Sequence, residues 1–288
     1  MAQSFIQRWF KQPGVPQALP VIAFLILGFI GPLAVVVAFS FMPPNTFSLL
    51  QTPTLANYYT IFGETYYIPF SWSLGLALAT VSISFVICYP VAYGMAKAFG
   101  KWANLITILI AVPILISENI RLFGWVLIFV KNGILDGLLQ QFLGVSFSGV
   151  LYSVPAILMG LVYVYLPFML FPMVLGMSMV PESLKEAAAD LGASRFEIFR
   201  EVELPLSMPG LLIGVILTFV LALGALIESK ILGGQSIVMV ADEIESAFTF
   251  GQNWPKGSAI STLLIILSGV IVLFLFRRID LDRILGKR

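Results

Sequence analysis

Side chains that do acid–base or metal chemistry are nearly missing from this sequence of 288 residues. It has no histidine and one cysteine, Cys88, which removes imidazole catalysis, the usual zinc ligand sets and any intrachain disulfide. Cys88 reads as a small apolar packing residue. No G-x-x-x-x-G-K-[ST] phosphate loop is present, so ATP binding of that kind is not expected. What remains are 15 carboxylates and 16 basic side chains with a net charge of +1. That balance offers no surface for a polyanion, so nucleic acid is not an expected partner. The chain is expected to be no enzyme and to hold no metal or cofactor of its own.

The positions of those charges carry the information. Nine fall between Pro181 and Gly210. Pro181 breaks a preceding apolar run, and Ser183 with Glu186 forms a capping box that predicts a short helix, Leu184 to Leu191. Gly192 ends it where positive φ is required. Ser194 with Glu197 repeats the signal, predicting a second short helix through about Glu203 that Leu204-Pro205 closes. Ala187, Ala188, Leu191, Phe196 and Phe199 are expected to form an apolar ridge on this helix–turn–helix. Such a ridge could rest on lipid headgroups. Six acids against three basic residues would be repelled by an anionic leaflet, which favours a groove on a protein partner.

A second group of charges borders apolar stretches, where ionisable side chains face a cavity or a partner. Glu118 and Arg121 are spaced to pair with each other; otherwise Glu118 can offer a carboxylate to a cationic solute. Glu228 and Lys230 are read as closing the fifth apolar span. Asp242, Glu243 and Glu245 lie ahead of the sixth, as a solvated face, a docking edge or a weak attraction for amine cations. Glu118, Arg121, Glu228, Asp242, Glu243 and Trp254 are the candidate lining of a solute path.

The elements that must position these groups are membrane helices. The chain is 59% hydrophobic and 11% charged, with a mean hydropathy of +0.99; soluble domains are about a quarter charged. Apolar runs predict six spans, near 19–41, 70–96, 102–130, 150–179, 208–227 and 260–276. The first has no small-residue cleavage site and reads as a retained anchor. The third, with Ser117, Glu118, Asn119 and Arg121 in its second half, is taken as one helix with a polar outer end. Six spans with the N-terminus inside put 12 of the 16 basic residues on the inner side, as the positive-inside rule requires. Both termini and the loop after span four are therefore expected in the cytoplasm, with 1–18 and 280–288 flanking a six-span transmembrane domain, 19–279. Pro32, Pro90, Pro113, Pro167 and Pro172 fall inside spans, as ordinary kinks or as bends around a central path. Gly75, Ala77, Ala79, Ser82, Gly214 and Gly224 permit close helix approach.

At the loop the residues resemble a known family. Glu186-Ala187-Ala188, Gly192 after three intervening residues, then nine more to Val202-Glu203-Leu204-Pro205, are similar to the EAA signature of bacterial ATP-binding-cassette importer permeases. Ile120 to Trp125, Asn132-Gly133, Gly160 to Tyr163 with Leu166-Pro167-Phe168, Leu232-Gly233-Gly234 and Asn253-Trp254-Pro255 resemble the spermidine/putrescine-type members. The resemblance implies an all-α permease fold of the type I importers, with a coupling loop at 181–206, in the bacterial inner membrane. It implies a second permease subunit, favouring a paralogue, two cytoplasmic ATPase subunits carrying ATP and Mg, and an extracytoplasmic solute-binding protein. Within the loop it implies that Glu186 and Asp190 face the ATPase, Ala187 and Ala188 permit close approach, Gly192 turns the chain, and Leu204-Pro205 anchors the loop. The implied solute is a polyamine or related small amine. Ala225 stands where polyamine permeases often carry an acid, which leaves opines, aminophosphonates and amino-acid-like solutes as alternatives. A stand-alone channel or ion-coupled carrier would leave the charged loop without a role.

Overall fold

The computed structural model describes residues 15–144 and 149–277, and every regular element among them is helical. Helix α1 runs through Val15–Leu25, a π turn at Ile26–Ile30 and Gly31–Ser40. It is followed by α2 (Ala56–Gly63), α3 (Tyr67–Lys97) and α4 (Lys101–Ala111). Next come α5 (Glu118–Phe129), α6 (Ile134–Leu143), α7 (Val154–Ser178) and α8 (Glu182–Asp190). Helix α9 starts at Arg195, widens to a π turn at Ile198–Glu203 and continues as Leu204–Leu223. Last are α10 (Ile227–Gly233), α11 (Val240–Thr249) and α12 (Trp254–Phe276). Residues 1–14 of the expected N-terminal segment and the whole expected tail, 280–288, lie outside the described residues.

Among the described residues, six stretches are long and apolar enough to cross a membrane: Pro20–Ser40, Tyr67–Lys97, Glu118–Leu143, Val154–Ser178, Arg195–Leu223 and Trp254–Phe276. The expected number stands, but the sixth span begins six residues early, at Trp254, and the third and fifth differ more. The stretch 102–130 is not one helix. Past α4 the chain tightens to a 3-10 turn at Val112–Leu115, where Pro113 has no N–H to give. Ile116 and Ser117 are extended, and α5 starts afresh at Glu118. Glu118–Leu143 itself breaks at Asn132, whose φ is +60°. The fifth span does not begin near Met208, because Leu204-Pro205 does not close a helix. The π turn ahead of Pro205 moves the carbonyl its ring would strike, so the helix runs from Arg195 through both residues.

The chain forms two compact units. In the unit holding 66–243 and the run from Ile266, α7 packs between α3 and α9. Cys88, Ala92 and Met95 of α3, Met169, Leu170, Met173 and Met177 of α7, and Leu211 of α9 share one buried cluster. Cys88 is a packing residue there, its Sγ donating to the Leu166 carbonyl at 3.7 Å. The α7–α9 crossing depends on glycine: a Cβ at Gly210 would lie 2.4 Å from the Pro172 carbonyl oxygen and 2.5 Å from the Gly176 Cα.

The other unit holds the chain up to Thr65 together with Ile244–Ile265. Asn57 Nδ2 donates to the Ser40 and Met42 carbonyls at 3.1 and 2.8 Å, tying α2 to the end of α1. Trp254 is the hub of an aromatic cluster with Phe39, Phe47 and Phe248.

Candidate functional site

The loop between α7 and α9 is built from its turn outward. Helix α8 begins at Glu182 with Pro181 at its N-cap and no side-chain cap, so the expected Ser183/Glu186 capping box is not formed. Pro181 takes the N-cap position instead, two residues ahead of Ser183, and its fixed φ sets the entry angle there. At the other end Gly192 has φ +87°. Its N–H bonds to the Ala189 carbonyl at 2.9 Å and the Ala193 N–H to the Ala188 carbonyl at 3.1 Å. This is a Schellman closure, which needs a left-handed residue at the glycine position. Ser194 and Glu197 then form the expected capping box: Ser194 N–H donates to Glu197 Oε2 at 2.7 Å and Glu197 N–H to Ser194 Oγ at 3.3 Å.

The ridge residues divide. Leu191 is 90% exposed and Phe196 68% exposed, and Ala187 is open while Ala188 is half-buried. Phe199 turns inward, its ring perpendicular to that of Tyr89 with centroids 6.5 Å apart. Glu186, Asp190 and Gly192 lie on the exposed surface. Leu204 and Pro205 lie at the foot of α9, just past the buried Glu203.

At the base of the loop is a charge cluster that spacing in the sequence leaves invisible except for the i,i+3 pair of Glu182 and Lys185. Lys185 Nζ lies 2.7 Å from Glu182 and 3.2 Å from Glu203. Lys97, the last residue of α3, donates to the Val180 carbonyl at 3.0 Å and approaches Glu182 at 3.7 Å. The Lys185 hydrogen bond, aided by its charge and that of Lys97, holds the Glu182 carboxyl below the usual carboxylate range. Burial opposes charge on Lys185, but hydrogen bonds and charges from Glu182 and Glu203 outweigh it and keep its ammonium above the ordinary lysine value. Together these contacts fasten α8 to α3 and α9.

The candidate path residues do not form one group. Glu228 does not close α9, which ends at Leu223; it lies in α10 and is 0% exposed. Glu118 and Arg121 of α5 and Tyr165 of α7 are the neighbours that act on it electrostatically. The Tyr165 hydroxyl stands alongside, yet neither Glu228 oxygen accepts a hydrogen bond of normal geometry. Arg121 forms no ion pair with Glu118; its guanidinium lies over the Tyr163 ring, 5.8 Å from the centroid, with Nε buried and unpartnered. Asp242 accepts from Ser229 Oγ at 2.8 Å and from Met239 N–H at 2.9 Å, bracing α10 against the start of α11. Glu243 is half-buried on α11. Trp254 belongs to the aromatic cluster of the other unit.

A bundle of membrane helices with one charged helical projection braced at its base is the architecture of the membrane subunit of an importer. The chain belongs to the family described as binding-protein-dependent transport system inner membrane component, which matches residues 90–284. It is thus a multi-pass inner-membrane permease subunit of an ATP-binding-cassette importer. It is 32% identical over 260 residues to the spermidine/putrescine transport system permease protein PotB of Haemophilus influenzae, covering 89% of this chain and 91% of the relative. PotB of Escherichia coli is 30% identical, with 93% and 97% covered. A bacterial alginate ABC transporter, crystallised with a periplasmic protein carrying an alginate pentasaccharide, has the same fold at TM-score 0.70 and 15% identity, over 96% of this chain and 95% of that one.

Proposed function

We infer that the chain is one membrane half of an ATP-driven importer that passes a polyamine or a related small amine delivered by an extracytoplasmic binding protein. Residues 19–279 form the permease domain, with 1–18, 181–206 and 280–288 on the cytoplasmic side, where 12 of the 16 basic residues then fall. A second permease subunit, a paralogue, completes the path. Two cytoplasmic subunits bind ATP and Mg and hydrolyse the nucleotide.

The observation that carries this reading is the projecting loop: Leu191 and Phe196 are exposed at its tip while Lys97, Glu182, Lys185 and Glu203 lock its base. An apolar tip on a rigid root is what a lever needs, since force applied at the tip reaches α3 and α9 without loss in a flexible hinge. Glu186 and Asp190 make polar contact with the ATPase, Ala187 and Ala188 let it approach, Gly192 holds the turn, and Leu204-Pro205 passes the motion into α9. The amine assignment is supported by the relatives named for spermidine and putrescine.

Co-purification with an ATPase subunit tests the partnership. Uptake should stop on ATP depletion and continue with an uncoupler when ATP is clamped. Uptake that follows the ion gradient instead would assign the chain to the carriers.

A further inference from the structure

Glu228 is unlike the other buried polar groups. A carboxylate shut away from water without a hydrogen bond is among the costliest arrangements in a membrane interior, and it persists where function requires it. Glu228 is completely inaccessible, and the Tyr165 hydroxyl beside it meets neither carboxylate oxygen in good hydrogen-bond geometry. Gly160 of α7 lets α10 pack this close: a Cβ there would lie 2.4 Å from the Leu232 Cδ1, and Glu228 Cγ sits at contact distance, 3.7 Å, from the same point.

The surroundings show what the carboxylate can receive. Arg121 already places a cation on the face of Tyr163, whose ring is held edge-on by Trp125 at 5.5 Å. That arginine is not paired with Glu228 or Glu118, so two carboxylates act beside one guanidinium and neither is neutralised by direct contact. Asp242 is excluded from this group by its bonds to Ser229 and Met239. Two carboxylates against one guanidinium leave an excess of negative charge, which suits an ammonium group and opposes an anion.

We propose that Glu228 and Glu118 form the intramembrane acceptor for an ammonium group of the solute, with Arg121 held aside on the Tyr163 ring. The inaccessible state seen here is the closed one, and the site opens when α10 separates from α5 and α7. This proposal rests on the amine-importer reading and adds the residues that recognise the charge.

The test uses the whole importer, with its ATPase and binding protein, in proteoliposomes supplied with labelled putrescine or spermidine. Glu228→Gln keeps the shape of the side chain and removes its charge. Its uptake at low solute should fall about ten- to a hundredfold, the worth of a hydrogen bond to a charged group, while it co-purifies with the ATPase as the unaltered protein does. Glu228→Asp should recover part of the loss, which a purely structural role would not allow. Uptake by Glu228→Gln at the unaltered rate overturns this site and leaves the importer reading intact. If the unaltered importer moves neither amine, the amine reading falls and this site with it. Should Glu228→Gln not assemble, Glu118→Gln at its half-buried position decides in the same assay, and unchanged uptake there overturns the pair.

Discussion

The two polar clusters of the helical bundle treat charge in opposite ways. At the base of the loop every charge has a partner: Lys185 lies between Glu182 and Glu203, and Lys97 closes the group through the Val180 carbonyl and Glu182. Around Glu228 no charge is in an ion pair: the Tyr165 hydroxyl meets its carboxylate in poor geometry, and the Arg121 Nε is buried without a partner. A satisfied cluster adds rigidity, because every displacement breaks a contact. An unsatisfied one is poised to exchange its surroundings for a ligand. The lever and the proposed binding site are thus distinguished by the completeness of their hydrogen bonding, although both are built from Glu and a basic residue on packed helices.

The two regions share a spine. Helix α7 carries Tyr165 beside Glu228 and crosses α9 at Gly176 and Gly210. The largest effect should come from breaking that crossing. Gly210→Val drives a side chain into the Pro172 carbonyl and the Gly176 Cα, a backbone overlap expected to cost about 3 kcal/mol or more. Little folded protein should survive detergent extraction, as read by size-exclusion chromatography. A monodisperse Gly210→Val protein would mean that the spine is looser than this packing requires.

Next in size is a substitution that leaves the bundle alone. No atom lies within 4 Å of a Cβ built at Gly192, so only its φ of +87° resists replacement. A non-glycine residue held there costs about 1–3 kcal/mol. Gly192→Asp should insert normally and cut uptake to about a tenth or less, since each 1.4 kcal/mol is a tenfold change in an equilibrium. Gly192→Asn should retain more uptake than Gly192→Val, because asparagine tolerates left-handed backbone and a β-branched residue does not. Equal losses in the two would point to crowding by a docked partner.

These features differ in how far the sequence discloses them, and locality is the reason. Gly192, Ser194 and Glu197 act over three or four residues, so their spacing was enough to anticipate the left-handed turn and the capping box that the structure contains. Ser183 and Glu186 show the same spacing without making the box, since α8 starts behind Pro181, two residues early. Pro205 read locally is a helix end; that α9 runs through it depends on a π turn that gains its stability from packing along α9. The break at Ile116-Ser117 was hidden by apolar residues on both sides, which look alike to a hydropathy count whether the backbone is straight or bent. The role of Lys97 and the burial of Glu228 are tertiary facts: Lys97 meets a loop 83 residues away in the sequence, and no local pattern marks Glu228 as inaccessible.

The contrast can be sharpened by neutralising one carboxylate in each cluster. Glu203 is buried and accepts from Lys185, so Glu203→Gln strips a charge-assisted partner from a poorly exposed ammonium and should destabilise by about 2 kcal/mol. Glu228→Gln removes a charge that has no partner, and it should leave the melting temperature unchanged or raised while uptake falls. Melting temperatures in detergent compare the pair directly. If both variants lose stability alike, Glu228 is satisfied in solution and the distinction between the clusters fails.

The smallest expected effect is the pH dependence of the lever's root. The Glu182 carboxyl is held below its ordinary range by the Lys185 hydrogen bond, with Lys97 adding to it. Its unfolded counterpart therefore takes up a proton first as pH falls, so within that window the unfolded state binds more protons and stability rises with pH. The contribution of Glu182 is present above the ordinary carboxylate range, near pH 4, and is lost as pH drops through the lowered native value. Glu182 is exposed, so solvent screens the interaction and the change should be confined to α8 rather than spread through the bundle. Hydrogen exchange of the Leu184–Asp190 amides, corrected for the intrinsic rate, should lose protection on acidification in the unaltered protein and change less in Glu182→Gln. Lys185 works in the other direction: its raised value keeps the ammonium charged well past neutrality, so alkaline conditions loosen α8 only as pH climbs through the lysine range. A plateau of protection between those limits, absent in Lys185→Met, would identify the lysine as the group holding the loop to α9.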